Sequence, residues 1–199
     1  LQTDSLLFGA EESEVGVGPP PADHAGRIFL LKGAGDMGAF RAGRVTGPQW
    51  DQANLGFASA AFGENTVASG SHAFAAGDGT AADGDASVVV GGVGNIAGAL
   101  QSFIGGGSDN NIDPAASWSV IVGGNDNAAD DASALYAMIG GGQRNRASAV
   151  YCTVAGGFTN VAGAAYAIVG GGQDNPAAGV HSVVVGGQSN TATGAHSWA

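Results

Sequence analysis

The chain has 199 residues, of which 37 are Gly; charged residues make up 12%, aromatic residues 7%, and the net charge is −11. The Gly excess has no every-third-residue period, which excludes collagen. The acidity argues against nucleic acid, whose phosphates need a basic face, and against anionic membrane surfaces.

Three zones follow in chain order. Residues 1–26 are acidic and carry Gly-Pro-Pro-Pro at 18–21, the composition of an arm or linker. Residues 27–55 hold the apolar run Ile28-Phe29-Leu30-Leu31, then Gly-Ala-Phe-Arg-Ala-Gly at 38–43, then Trp50-Asp51. These large residues and clustered Arg predict short strands forming a cap, such as terminal repeats of a solenoid need.

Residues 56–199 are a repeat. An Asn recurs after a Gly-Gly step at Asn95, Asn110, Asn127, Asn145, Asn160, Asn175 and Asn190, mostly 15 residues apart, and Thr80 and Asn65 extend the series backwards. Each copy holds one short β segment, a Gly-rich turn, a second short Ala or polar segment and another turn. So short a unit has no room for a helix and suits one coil of two short strands. Gly at the turns supplies positive φ and lets neighbouring coils approach.

The strand faces carry a second message. Six positions before each Asn stand Val89, Ile104, Ile121, Ile139, Val154, Val169 and Val184, the expected structural core. One residue earlier stand Val88, Phe103, Val120, Met138, Thr153, Ile168 and Val183. Adjacent strand residues point to opposite faces, so both faces are apolar and both want burial. A narrow coil buries only one, and the cover for the other is expected to be further copies of the chain. Threefold closure is the simplest arrangement. Burying a Val or Ile is worth roughly 1.5–3 kcal/mol, against about 1–2 kcal/mol of backbone entropy per ordered residue. A Gly-rich, small-residue monomer should be marginal, so folding and assembly are expected to be coupled. The single cysteine, Cys152, reads as a small core residue. No run is long enough to insert into a membrane as a helix.

The string Ser-Val-Val-Val-Gly-Gly with Asn-x-Ala-x-Gly at 182–194 resembles the head repeats of trimeric autotransporter adhesins, as do Ala73–Gly77 and Ser87–Gly92. The segment Gly38-Ala-Phe-Arg-Ala-Gly-x-Val-Thr-Gly-x-Gln-Trp-Asp51 with its following repeats is similar to phage and giant-virus fibre proteins. Those often carry a C-terminal self-cleaving chaperone. The resemblance covers roughly 27–199 and implies a trimeric left-handed parallel β-roll on a surface, serving in attachment. The period departs from the shorter one commoner in adhesin heads. The sequence also holds no coiled-coil stalk, membrane anchor or chaperone domain. A start at Leu1 and a stop within a repeat at Trp198-Ala199 are expected of a fragment or processed product.

The first candidate site is a column nine residues before each Asn: Trp118, Tyr136, Tyr151, Tyr166, His181, and His196 in the next partial copy. Stacked coils would set these rings one above another along one edge. They would serve either as a glycan-contact strip or as a structural stack, whose ring pairs add about 0.5–1.5 kcal/mol. The second is a pair of enlarged coils, Ile112-Asp113-Pro114-Ala115-Ala116-Ser117-Trp118 and Ala128-Ala129-Asp130-Asp131-Ala132-Ser133-Ala134-Leu135. Their Asp113, Asp130 and Asp131 would face a ligand if the bulge is a binding face; harmless loop growth is the other reading. The third, Asp78, Asp83 and Asp85, resembles a calcium loop without its closing Glu, and a solvated acidic turn explains it. His181 and His196 could gather near a threefold axis as metal ligands, but the column already accounts for them. The Asn series reads as an amide ladder, or as residues tolerating αL at the turn. No carboxylate pair, nucleophile elbow or phosphate loop is recognisable.

The expectation is therefore an all-β, homotrimeric parallel β-solenoid, a left-handed β-roll of about 15-residue coils with a small N-terminal cap. Its expected role is that of a non-enzymatic fibre head of a virion or phage. It would need no cofactor, would lie on a virion or cell surface, and would bind a host glycan or protein receptor. The alternative is the head of a bacterial trimeric autotransporter adhesin, and after that a polysaccharide-degrading spike.

Overall fold

The computed structural model describes residues 27–31 and 38–199. The arm expected over 1–26 lies outside them, as does part of the zone 27–55.

β1 (Arg27–Leu31) pairs antiparallel with β2 (Ala39–Arg44), which pairs in parallel with β3 (Ala60–Glu64). Two 3-10 turns, Pro48–Trp50 and Gln52–Asn54, lie between β2 and β3. From β3 the chain winds as a parallel β-solenoid. β4 (Val67–Ala68) opens a second sheet and β5 (Phe74–Asp78) returns to the first. Two-residue strands from Val88–Val89 to Val183–Val184 complete an 11-stranded first sheet, and those up to Pro176–Ala177 complete an 8-stranded second one. A third column of single bridges runs through Asp78, Val93, Ser108, Asn125, Gln143, Phe158, Gln173 and Gln188. The parallel β-solenoid with coils of about 15 residues is thus as expected from the sequence.

The first coils are shorter. Ala61 pairs with Ala75 and Ala75 with Val89, each a step of 14 residues. The row of Asn95 therefore continues back through Thr80 to Thr66, both buried, and the expected extension through Asn65 is shifted by one residue. Asn65 takes an outer position, where its Oδ1 accepts from Thr46 N at 2.8 Å and Thr46 Oγ1 at 2.9 Å. The added residue of the later coils can be located. Thr80 Oγ1 donates to Ala76 O and Asn95 Nδ2 to Gly91 O, both four residues back. The extra residue is consequently Val90 and its successors Gly105, Val122, Gly140, Ala155, Gly170 and Val185; the three valines are exposed.

The core is one side chain deep. Val89, Ile104, Ile121, Ile139, Val154, Val169 and Val184 from the first sheet are fully buried. They join Ala82, Ala97, Ile112, Ala129, Ala147, Ala162 and Ala177 of the second sheet in one cluster. Ser, Ala or Cys152 precedes the outward residue of each first-sheet strand, and Cys152 is buried in the core as expected. Burial also pushes its thiol pKa up. From Val89 onwards the small Ala of one wall, with Ile112 the exception, leaves room for Val or Ile opposite, whereas in the first coils Ala61 and Ala75 hold the same row.

Two ladders hold the turns. Each Asn from Asn110 to Asn190 donates its backbone N–H to the Oδ1 of the Asn one coil before it. Its Nδ2 donates to the carbonyl four residues back, for instance Asn145 to Gly141 O at 2.9 Å. The Asn residues themselves are not the αL positions. Those fall on the preceding residues Asp109, Asp126, Arg144, Thr159, Asp174 and Ser189, with φ of 54° to 57°. Gly92, Gly107, Gly124, Gly142, Gly157 and Gly172 have φ of 85° to 98°, and a Cβ on any of them would overlap the carbonyl oxygen of the equivalent Gly one coil on. That is why the second Gly of each Gly-Gly step recurs; a Cβ on the first, such as Gly91, would meet open space.

Arg41 occupies the core column at the N-terminal end, in register with Ala61. It is fully buried. Its guanidinium donates to Phe40 O, Ser59 O, Asn54 O, Ser59 Oγ and Ala68 O at 2.9–3.3 Å. Desolvation lowers its pKa to about 10. Trp50 is also buried there, its Nε1 donating to Thr66 O at 3.1 Å. Arg44 makes a surface ion pair to Glu64 at 3.2 Å.

Candidate functional site

The column of rings predicted from spacing is a continuous stack. Centroids of Trp118 and Tyr136 lie 4.9 Å apart, Tyr136 and Tyr151 4.9 Å, and Tyr151 and Tyr166 5.3 Å. Tyr166 and His181 follow at 4.6 Å, and His181 and His196 at 5.0 Å. Interplanar angles run from 3° to 16°. At its N-terminal end Trp118 Nε1 donates to Gln101 Oε1 at 2.6 Å. Gln101 belongs to the same column, and two coils before it His72 meets Phe57 edge-on at 5.3 Å.

The column is built on an unusual backbone. Trp118, Tyr136, Tyr151, Tyr166, His181 and His196 all have φ between 56° and 61°. A left-handed conformation costs a bulky L-residue roughly 1–2 kcal/mol. Contacts between coils offset that cost. Each ladder N–H donates to a carbonyl of the preceding coil: Tyr136 to Ser117 O, Tyr151 to Leu135 O, Tyr166 to Val150 O, His181 to Ala165 O. The stacked rings contribute about 0.5–1.5 kcal/mol per pair.

Stacking decides what the column presents to a ligand. Trp118, Tyr136, Tyr151 and Tyr166 are 39%, 42%, 48% and 46% exposed. Each inner ring is covered on both faces by its neighbours. The exposed part of an inner ring is therefore its edge, and a sugar on this strip would meet ring edges instead of faces.

The enlarged coils lie beside the Trp118 end. Their acids are already bonded, Asp113 and Asp131 within their own loops and Asp130 to the next coil. Asp113 Oδ1 accepts from Ala115 N at 3.0 Å. Asp131 Oδ1 accepts from Ser133 N at 2.9 Å and Ser133 Oγ at 2.6 Å, and these bonds hold its carboxyl below the usual range. Asp130 pairs with Arg146 and accepts from Ser148 Oγ at 3.0 Å.

Asp83 accepts from Ser69 Oγ at 2.6 Å and Asp85 from Ser71 N at 2.9 Å, both binding the previous coil, while Asp78 ends a strand of the first sheet. Among the described residues no group of three or more His, Cys, Asp or Glu is placed to hold a metal ion. No helix among them is long and apolar enough to cross a membrane.

No family model matches the chain, and no curated protein is significantly similar to it.

A further surface stands out in the structure. The outward column of the first sheet runs Phe74, Val88, Phe103, Val120, Met138, Thr153, Ile168 and Val183, in register from coil to coil. Phe103, Met138 and Ile168 are 37%, 43% and 44% exposed in the single chain. Exposed Val90, Val122 and Val185 lie two residues further along the same coils. With Thr153 the one polar member, apolar residues thus line one side of the solenoid from coil to coil.

Proposed function

We propose that this chain is a non-enzymatic head segment of a homotrimeric surface fibre, a left-handed β-roll that supports and carries attachment to a host surface. The observation that carries the reading is the outward apolar column of the first sheet. The column is apolar at every position but Thr153 and is widened by exposed Val90, Val122 and Val185; an exposed apolar strip of this extent supports an interaction surface. Three copies turned inward on this column would bury Phe103, Val120, Met138, Ile168 and Val183 about one axis. Closure about an axis leaves no open hydrophobic edge. β1, β2, Arg41 and Trp50 would cap the N-terminal end of each roll, as terminal repeats of a solenoid require.

The repeat resemblance supports a virion or phage fibre head, with the head of a bacterial trimeric adhesin as the alternative. The receptor would be a host surface glycan or protein. It would meet the exposed edge of the Trp118–His196 column and the neighbouring enlarged loops around Asp113, Asp130 and Asp131. The test is binding of the fluorescently labelled chain to a glycan array and to intact candidate host cells. Saturable binding that falls at least about tenfold when Tyr151 and Asp131 are replaced together by Ala supports the assignment. Absence of saturable binding to every surface tried contradicts the attachment role.

A further inference from the structure

Three tyrosines, Tyr136, Tyr151 and Tyr166, stand on successive coils with rings nearly parallel and centroids 4.9 and 5.3 Å apart. All three are exposed to between 42% and 48%. Exposure gives an oxidant access, and the stack holds each phenol against the next. The run is bounded by Trp118 on one side and His181 on the other, so Tyr151 is the one tyrosine with a tyrosine on both sides.

We infer that this column is a site of dityrosine cross-linking, in which one-electron oxidation joins Tyr151 covalently to Tyr136 or to Tyr166. Each of two phenols loses one electron and one proton to give a phenoxyl radical. The radicals couple through ring carbons ortho to oxygen, and the two hydrogens on those carbons move to the oxygens and restore both phenols. With a peroxidase the oxidant is hydrogen peroxide: two tyrosines and one peroxide give one dityrosine and two waters. The product has lost two hydrogens and carries one new carbon–carbon bond. The native stack favours coupling because the partner ring is already in place and diffusional encounter is not needed.

The consequence is a staple between adjacent coils. Its loop spans 15 residues in either pairing, since Tyr136, Tyr151 and Tyr166 are evenly spaced. A solenoid opens coil by coil, so a bond tying neighbouring coils should act as a disulfide of that loop length does. The expected rise in unfolding midpoint is about 5–10 °C. The inference is independent of the attachment reading: it needs only the stack and solvent access.

The experiment is horseradish peroxidase with hydrogen peroxide on the folded chain at low micromolar concentration, followed by proteolysis and mass spectrometry. The expected products are linked peptides joining Tyr151 to Tyr136 or Tyr166, two hydrogens lighter than the sum, in a yield unaffected by tenfold dilution. Tyr151→Phe, which keeps a ring in the stack, should abolish intrachain links. Tyr136→Phe and Tyr166→Phe should each leave the other link. The chain unfolded in denaturant should lose this pattern. Links only between chains, intrachain links that survive Tyr151→Phe, or oxidation of the tyrosines without coupling would each overturn the inference.

Discussion

Asn145→Ala should destabilise the solenoid from its middle. Asn145 Nδ2 donates to Asn127 Oδ1 at 3.1 Å, Gly141 O at 2.9 Å and Gly157 O at 2.9 Å, and its Oδ1 accepts from Asn160 N at 3.0 Å. Some of these partners have a second bond. Asn127 Oδ1 still receives Asn145 N at 2.9 Å, and Gly157 O still receives Gln143 N at 2.9 Å. The buried Asn160 N–H and the half-buried Gly141 carbonyl lose their bond to Asn145. An orphaned buried group costs about 1–3 kcal/mol, so the substitution should cost about 2–4 kcal/mol. Asn190, in the last full copy, is the control: its Nδ2 donates to Gly186 O at 2.7 Å and its side chain supports no later Asn. Asn190→Ala should cost under about 1 kcal/mol. Urea unfolding followed by circular dichroism, at one fixed protein concentration, measures both. Equal shifts for the two substitutions, or a cost below about 1 kcal/mol for Asn145→Ala, would refute the ladder as a source of stability.

Gly142→Ala should abolish soluble folded protein, because the new Cβ would overlap the Gly157 carbonyl oxygen. Gly79→Ala should be tolerated at a cost of about 1 kcal/mol, since its φ is +60° but nothing lies within 4 Å of the added carbon; soluble yield and melting temperature compare the two. Arg41→Met should loosen the N-terminal coils by about 3 kcal/mol, since Ser59 Oγ, Asn54 O and Ala68 O each lose a guanidinium bond. Hydrogen exchange should show that loss confined to the first coils, and uniform loss would argue against an end-capping role. Cys152 is fully buried and its thiol is pushed up by desolvation, so maleimide labelling at neutral pH should be at least about 100-fold slower in the folded chain than in denaturant. Comparable rates would contradict the core assignment.

The fold was legible because the repeat states it many times. The β-branched residue six positions before each Asn, the Gly-Gly step and the ring column recur once per coil, and each recurrence gave one row of the structure. The register failed where the repeat changes length. At Thr66 the coil is one residue shorter, and Asn65, the expected residue type one position away, occupies an outer turn. The αL backbone of the ring column was not legible either. Trp and Tyr rarely adopt positive φ, and only the bonds and stacking between coils hold them there. The role of Arg41 was half legible: clustered Arg suggested packing at the end of the roll. That its guanidinium would bind five oxygens of Phe40, Asn54, Ser59 and Ala68 depends on how those segments converge. The acids of the enlarged coils drew notice as ligand contacts, whereas Asp113 and Asp131 bind their own loops at a range of two residues.

The central claim is that the outward apolar column of the first sheet is covered by two further copies of the chain. The most direct measurement is solution mass by light scattering at several concentrations, before and after heating. The account predicts a stable species at three times the 19.2 kDa chain mass, persisting on dilution and losing mass and β-structure together on heating. A well-folded monomer with Phe103, Met138 and Ile168 open to water would contradict it.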